Sequence, residues 1–181
     1  VNFNQEYIKI IKKYNNINNV FIIDANIYKK FIKKKINIKN LKTITTNERT
    51  KEYGYTKNIL NFFKKKNISK KNKIILIGGG SLQDLISFSC SIYHRGIDWI
   101  FLPTTLLSQA DSCIGGKNSI NFINYKNVLG NFYPPKKVII DETFLDSLPK
   151  SEIKSGIGEM THYYFFEGSN FLKDIYHNYD N

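Results

Sequence analysis

The chain has 181 residues, 41% of them hydrophobic, which is enough for one ordinary domain or for one domain and part of another. No apolar run approaches the roughly 20 residues of a membrane span. The start, VNFNQEYIKII, has no secretory-signal layout, and two cysteines, Cys90 and Cys113, make no disulfide framework and fit a reduced, cytoplasmic setting. The net charge of +12 is uneven: residues 1–73 hold 19 Lys and Arg against 4 Asp and Glu, whereas residues 74–181 hold 8 against 11.

In chain order, NVFIID (19–24) reads as a strand and ANIYKKFIKK (25–34) as a helix. LKTITT (41–46) is a second strand, and YTKNILNFFKKK (55–66) a helix with Ile59, Leu60 and Phe63 on one face. KIILIGGG (73–80) is a buried strand ending in glycines, followed by a helix SLQDLISFSCSIYHR (81–95) that Gly96 stops. DWIFLP (98–103) and KVIID (137–141) are further strands. Strands alternating with helices predict an α/β fold, a parallel sheet covered by helices. After Pro149 the pattern becomes helical, with Ser151 the expected N-cap. A boundary near 148–150 divides the chain into residues 1–149 and the helical start of a second domain, residues 150–181. The first residue is not Met, so a chain processed or cut from something longer is the expectation.

Several residues stand out chemically. Gly78, Gly79 and Gly80 lie between a strand and a helix, where glycines let a phosphate approach backbone N–H groups at the positive helix end. The same triplet also serves as a tight turn with no ligand, and it lacks the G-x-G-x-x-G spacing. Ser81 and Asp84, three apart, match a capping box. Residues 103–135, from Pro103 to Pro135, hold only three charges, Asp111, Lys117 and Lys126, among glycines, hydroxyls and amides. A solvated loop carries more charge and a core strand none, so the segment reads as a site. Lys117 follows the Gly115–Gly116 turn, and Lys126 precedes Asn127. With Arg95, at its helix end, these lysines suit an anionic, phosphate-bearing ligand; a helix-end Arg also satisfies carbonyls with no ligand at all. Glu159 and His162 share a helix face as Glu-x-x-His, a possible metal pair that supplies too few ligands for tight zinc by itself. The lysine runs 33–35 and 64–66 admit a nucleic-acid surface, but they have no nucleic-acid motif beside them and read as a solvated face.

Taken together, GGGSLQD, YHRG, PTTLLSQADSCIGGK, KN, FYPP, IID, LP and SGIGE, in this order from Asp24 to Glu159, resemble the 3-dehydroquinate synthase family of NAD-dependent sugar-phosphate cyclases. The resemblance implies a Rossmann-like NAD domain with helices on both faces of its sheet, followed by an all-helical metal-binding domain. It implies NAD contacts at Asp24, Asn26, Glu48, Lys51, Gly78, Gly79, Gly80, Asp84, Thr104 and Thr105. Arg95, Lys117, Lys126, Asn127 and His162 would act on a phosphorylated sugar-acid substrate, with Asp111 at the floor shared by cofactor and substrate. Glu159 would be one ligand of a divalent metal, zinc in this family, whose other ligands are histidines beyond residue 181. The implied reaction is that of a lyase in the shikimate pathway to aromatic amino acids, and the implied assembly is a homodimer. 3-Deoxy-arabino-heptulosonate 7-phosphate is oxidised, loses phosphate, is reduced and closes by aldol addition to 3-dehydroquinate. The chain departs from the family pattern at His162, where the family has Lys, and at Tyr125, where Gly often precedes the Lys-Asn pair. Valiolone-type and inosose-type cyclases, and glycerol-type or iron-containing dehydrogenases sharing the glycine turn, are the alternatives.

Overall fold

The computed structural model describes residues 6–161 and Lys173. The elements in chain order are α1 (Tyr7–Tyr14), β1 (Asn19–Asp24), α2 (Ala25–Ile27, continued by a π-type turn Tyr28–Ile32), β2 (Leu41–Ile44) and α3 (Tyr53–Lys65). They continue with β3 (Lys73–Gly78), α4 (Gly80–Ile92), β4 (Trp99–Pro103), β5 (Lys117–Phe122), β6 (Tyr125–Phe132), β7 (Lys137–Val138) and α5 (Lys150–Met160). The sheet runs β2-β1-β3-β4-β7, with every neighbouring pair parallel.

A parallel sheet with helices on both faces needs strands that are apolar on both sides. β1 is buried along its whole length and β3 from its second residue. Val20, Ile22, Ile74, Leu76, Trp99 and Phe101 face α3 and α4, joined by Ile59, Phe63, Leu82 and Ile86. Phe21, Ile23, Ile75, Ile77, Ile100 and Leu102 face the opposite layer with Tyr7, Ile11, Ile27 and Ile32. Each fully buried side chain of this size contributes about 1.5–3 kcal/mol by leaving water. The α/β reading therefore holds, with helices on both faces.

Three local expectations are corrected. α4 ends at Ile92 rather than Arg95: His94 (φ 50°) and Arg95 (φ 60°) are left-handed, and Gly96 follows at φ 116°. The caps also differ. Pro149, not Ser151, caps α5, and Gly79 precedes α4 with no side chain bonded to its first turn, so Ser81 and Asp84 form no capping box. The third is β7, which covers Lys137–Val138 rather than 137–141; the segment after β4 also contains an antiparallel hairpin, β5–β6, turning on Ile123 (φ 44°) and Asn124 (φ 64°).

Candidate functional site

In this sheet β1 pairs with β2 on one side and β3 on the other, so the connections change direction there. Open parallel sheets bind ligands outside the C-terminal strand ends at such a switch. The C-terminal ends of β1, β2, β3 and β4 deliver Asp24 and Asn26, Thr46, Gly79 and Gly80, and Thr104 and Thr105 to one cleft of about 610 Å³. Lys30, Glu152 and Glu159 line it too. Thus six of the residues expected at the cofactor, and the expected metal ligand, are neighbours. Gly78 sits behind them: a Cβ there would meet Leu82 Cδ2 at 2.8 Å.

The cleft fits a dinucleotide phosphate. Gly79 is extended (φ −88°, ψ −176°), which any residue adopts, so its need is for space: a Cβ would lie 2.8 Å from Thr105 Cγ2. Thr105 cannot swing aside freely, because Ser108 Oγ accepts from its backbone N–H at 3.0 Å and from its hydroxyl at 2.8 Å. The uncapped first turn of α4 keeps orphan N–H donors at the positive end of the helix. Asp24 uses Oδ1 to accept from the backbone of Asn26 (2.8 Å) and Ile27 (3.2 Å). Among the described residues no hydrogen bond is made by Oδ2.

A second cleft, of about 800 Å³, lies across α4. Asp84, Asp111, Lys117, Ser119 and Asn127 line it. The two clefts meet at the start of α4. Gly80 lines the first, and its Cβ would lie 3.7 Å from Ser112 Oγ, in the second. Gln83 holds that partition by donating to the Ser112 carbonyl (2.5 Å) and accepting from Ser112 Oγ (2.8 Å). Gly115 (φ 73°) and Gly116 (φ 65°) form the left-handed turn that presents Lys117.

Lys51 and Asp84, both expected at the cofactor, are found together elsewhere. Lys51 Nζ lies 2.7 Å from Asp84 Oδ2 and donates to Asn127 Oδ1 at 2.7 Å. Asp84 Oδ1 accepts from the Ser119 backbone N–H at 3.2 Å. Burial pushes the Asp84 carboxyl above its ordinary pKa, and Lys51 opposes this by hydrogen bond and charge. Lys126 is exposed on β6. Arg95 lines neither cleft: α4 has 13 residues, about 20 Å at 1.5 Å per residue, and Arg95 lies past its far end. Glu48 opens a 3-10 turn, Glu48–Lys51. His162 lies outside the described residues, among which no three His, Cys, Asp or Glu side chains converge as a metal site. No helix of the described residues is long and apolar enough to cross a membrane. Sequence reading missed Glu52, Ser119 and Asn121, which are tied in by contacts 35 (Ser119 to Asp84) and 69 (Asn121 to Glu52) positions distant in the chain, which no local spacing announces.

A parallel α/β sheet with a glycine turn and ligand clefts at its C-terminal edge defines a nucleotide-binding class of fold. Within that class, residues 41–155 match the model of the 3-dehydroquinate synthase N-terminal domain, and the chain belongs to the 3-dehydroquinate synthase family. The 3-dehydroquinate synthase of Picrophilus torridus is 45% identical over 141 residues, covering 78% of this chain and 40% of the relative. That of Buchnera aphidicola subsp. Cinara cedri is 38% identical over 168 residues, covering 89% and 46%. The chain therefore spans less than half the length of these relatives. Among solved structures, the 2-epi-5-epi-valiolone synthase of Streptomyces hygroscopicus subsp. jinggangensis 5008, with NAD+ and Zn2+ bound, superposes with a TM-score of 0.76 at 23% identity over 87% of this chain and 46% of that one. A 2-deoxy-scyllo-inosose synthase complexed with carbaglucose-6-phosphate, NAD+ and Co2+ gives 0.70 at 21%, over 86% and 45%. These two likenesses bear on the fold, and they agree with the Rossmann-like reading.

Proposed function

We propose that this chain is the cofactor-binding portion of a 3-dehydroquinate synthase, acting on 3-deoxy-arabino-heptulosonate 7-phosphate to release phosphate and form 3-dehydroquinate. The observation that carries the reading is the pair of clefts at the start of α4, one at the glycine turn and the other lined by Lys117, three asparagines, Asp84 and Asp111. NAD, when bound, supplies a reversible two-electron oxidation of a ring hydroxyl, which acidifies the neighbouring C–H. The chain's own contribution is placement. Gly79, Gly80 and the α4 N–H groups hold the pyrophosphate, Asp24 and Asn26 the adenosine side, and Thr104 and Thr105 the wall between them. Lys117, Asn127 and Lys126 orient the phosphate-bearing substrate, holding the leaving group against its own ring. Asp111 and Asp84 border both ligands. Arg95, about a helix length away, and His162 belong to the same proposed set by family resemblance. Glu159, in the cofactor cleft, is the proposed first metal ligand; a catalytic zinc takes three protein ligands.

In this reading, residues 1–149 form the nucleotide domain and residues 150–181 begin the metal-binding one. A second copy is the proposed partner. The hairpin that would meet it exposes Ile123 (67%), Tyr125 (71%), Val128 (55%) and Phe132 (74%). A dehydrogenase is the competing reading, favoured by one observation: a probable glycerol dehydrogenase from Sinorhizobium meliloti 1021 superposes with a TM-score of 0.70 at 14% identity.

The test is an assay of the protein that contains this chain, with NAD, zinc and the heptulosonate phosphate, reading phosphate and NADH together. Stoichiometric phosphate with no accumulating NADH is expected. NADH accumulation without phosphate would establish the dehydrogenase, and phosphate release only from a different sugar phosphate would move the protein to another cyclase branch.

A further inference from the structure

Lys51 reads from sequence as a cofactor contact, but its geometry assigns it another task. Its ammonium lies 2.7 Å from the Asp84 carboxylate, which balances its charge, and its side chain is only 20% exposed. Two of its three donors are committed, to Asp84 Oδ2 and to Asn127 Oδ1. It lines neither cleft.

The consequence falls on Asn127. An ammonium group only donates, so the end of the Asn127 carboxamide facing Lys51 must be its oxygen. That oxygen also accepts from Ser119 Oγ at 3.0 Å. Among the described residues, nothing bonds to Nδ2, whose two N–H donors remain for the second cleft, which Asn127 lines. The backbone is arranged to the same end. Between the pairs Ile120–Leu129 and Phe122–Tyr125 the hairpin register shifts, so Asn121 alone stands opposite Lys126, Asn127 and Val128. Such a bulge re-aims a side chain. Asn127 takes φ 57° there, and its N–H donates to Asn121 Oδ1 at 3.0 Å. Asn121, 6% exposed, donates in turn to Glu52 Oε1 at 3.4 Å and forms a bridge with Glu52. Consecutive residues Lys51 and Glu52 thus clasp the bulge, Lys51 directly at the side chain of Asn127 and Glu52 through Asn121, which accepts from the Asn127 backbone.

We infer that Lys51 is a positioning residue: with Glu52 it holds the β6 bulge so that the Asn127 carboxamide turns its N–H donors onto an anionic oxygen of the substrate. This rests on the proposed substrate side of the site, and deepens it.

The experiment uses the chain with inorganic phosphate as the probe, measured by calorimetry, while the Asn127 side-chain amide signals are followed in a 15N-labelled sample. Phosphate should move those signals in wild type. Asn127→Ala and Lys51→Met should each weaken phosphate binding about tenfold, the scale of one charge-assisted hydrogen bond. The double variant should be no weaker than either single one, because both remove the same contact. Lys51→Arg should recover affinity to within about threefold, since it still donates to both partners. Lys51→Met leaves Asp84 buried without its cation. Lys51→Met/Asp84→Asn removes both charges and is expected to fold and to show the same tenfold loss, which excludes a simple charge effect. NAD affinity should be the same in Asn127→Ala as in wild type. Additive losses, an unchanged phosphate affinity in Lys51→Met, or no movement of the Asn127 signals in wild type would each overturn the assignment. Failure of the wild type to bind NAD contradicts the cofactor reading instead, and phosphate still decides this one.

Discussion

Gly79→Val is expected to weaken NAD binding about thirtyfold in a protein that stays folded. The backbone at Gly79 suits valine, so no conformational strain is introduced. What changes is space. The new Cβ starts 2.8 Å from Thr105 Cγ2, and Thr105 is pinned at both its N–H and its hydroxyl by Ser108. The added methyl groups then crowd the place where a pyrophosphate would meet the first N–H groups of α4. Losing one N–H contact to a charged phosphate costs about 2 kcal/mol, which is about thirtyfold in affinity. Calorimetric titration with NAD measures it, with circular dichroism melting as the control. Binding equal to wild type would mean that the glycine turn holds no phosphate.

The second large effect is at Gly130. It lies opposite Ser119 in the β5–β6 ladder, and a Cβ there would drive into the backbone carbonyl of Asn118. A carbonyl cannot rotate away as a side chain would, so Gly130→Val forces the strands apart. The expected loss is about 3 kcal/mol, which for a chain of this size lowers the melting midpoint by about 6–12 °C. The hairpin also holds Asn118, which donates to Ser87 Oγ (3.0 Å) and Asn131 Oδ1 (2.7 Å), and Asn127 in the second cleft. Amide hydrogen exchange should therefore accelerate across residues 117–132 while β1, β3 and β4 stay protected. Unchanged exchange in the hairpin would show that the strands tolerate the side chain.

How much of this was readable beforehand follows from where the forces lie. β1, β3 and β4 were legible because strands buried on both faces must be apolar almost throughout, as VFII, IILI and WIFL are. The glycine turn was legible because strand, glycines and helix are contiguous. The hairpin was not. Its strands, KNSINF and YKNVLGNF, are largely polar or exposed, and its turn uses Ile123 at φ 44° in place of the glycine that marks such turns. The left-handed His94 and Arg95 escaped for a similar reason, because neither residue type advertises that conformation. The capping box at Asp84 failed for a different reason: local spacing suggested it, while the structure gives the Asp84 carboxylate to Lys51, 33 positions away, and to the Ser119 amide. Long-range ion pairs of this kind leave no periodic trace.

The cofactor cleft is the centre of the account, and a crystal structure of the chain grown with NAD tests it most directly. The expected result places the pyrophosphate against the backbone N–H groups at Gly79, Gly80 and Ser81, with Asp24 on a ribose hydroxyl and Thr104 and Thr105 along the dinucleotide. NAD bound away from the ends of β1, β3 and β4, or crystals in which the glycine turn contacts no phosphate, would contradict it.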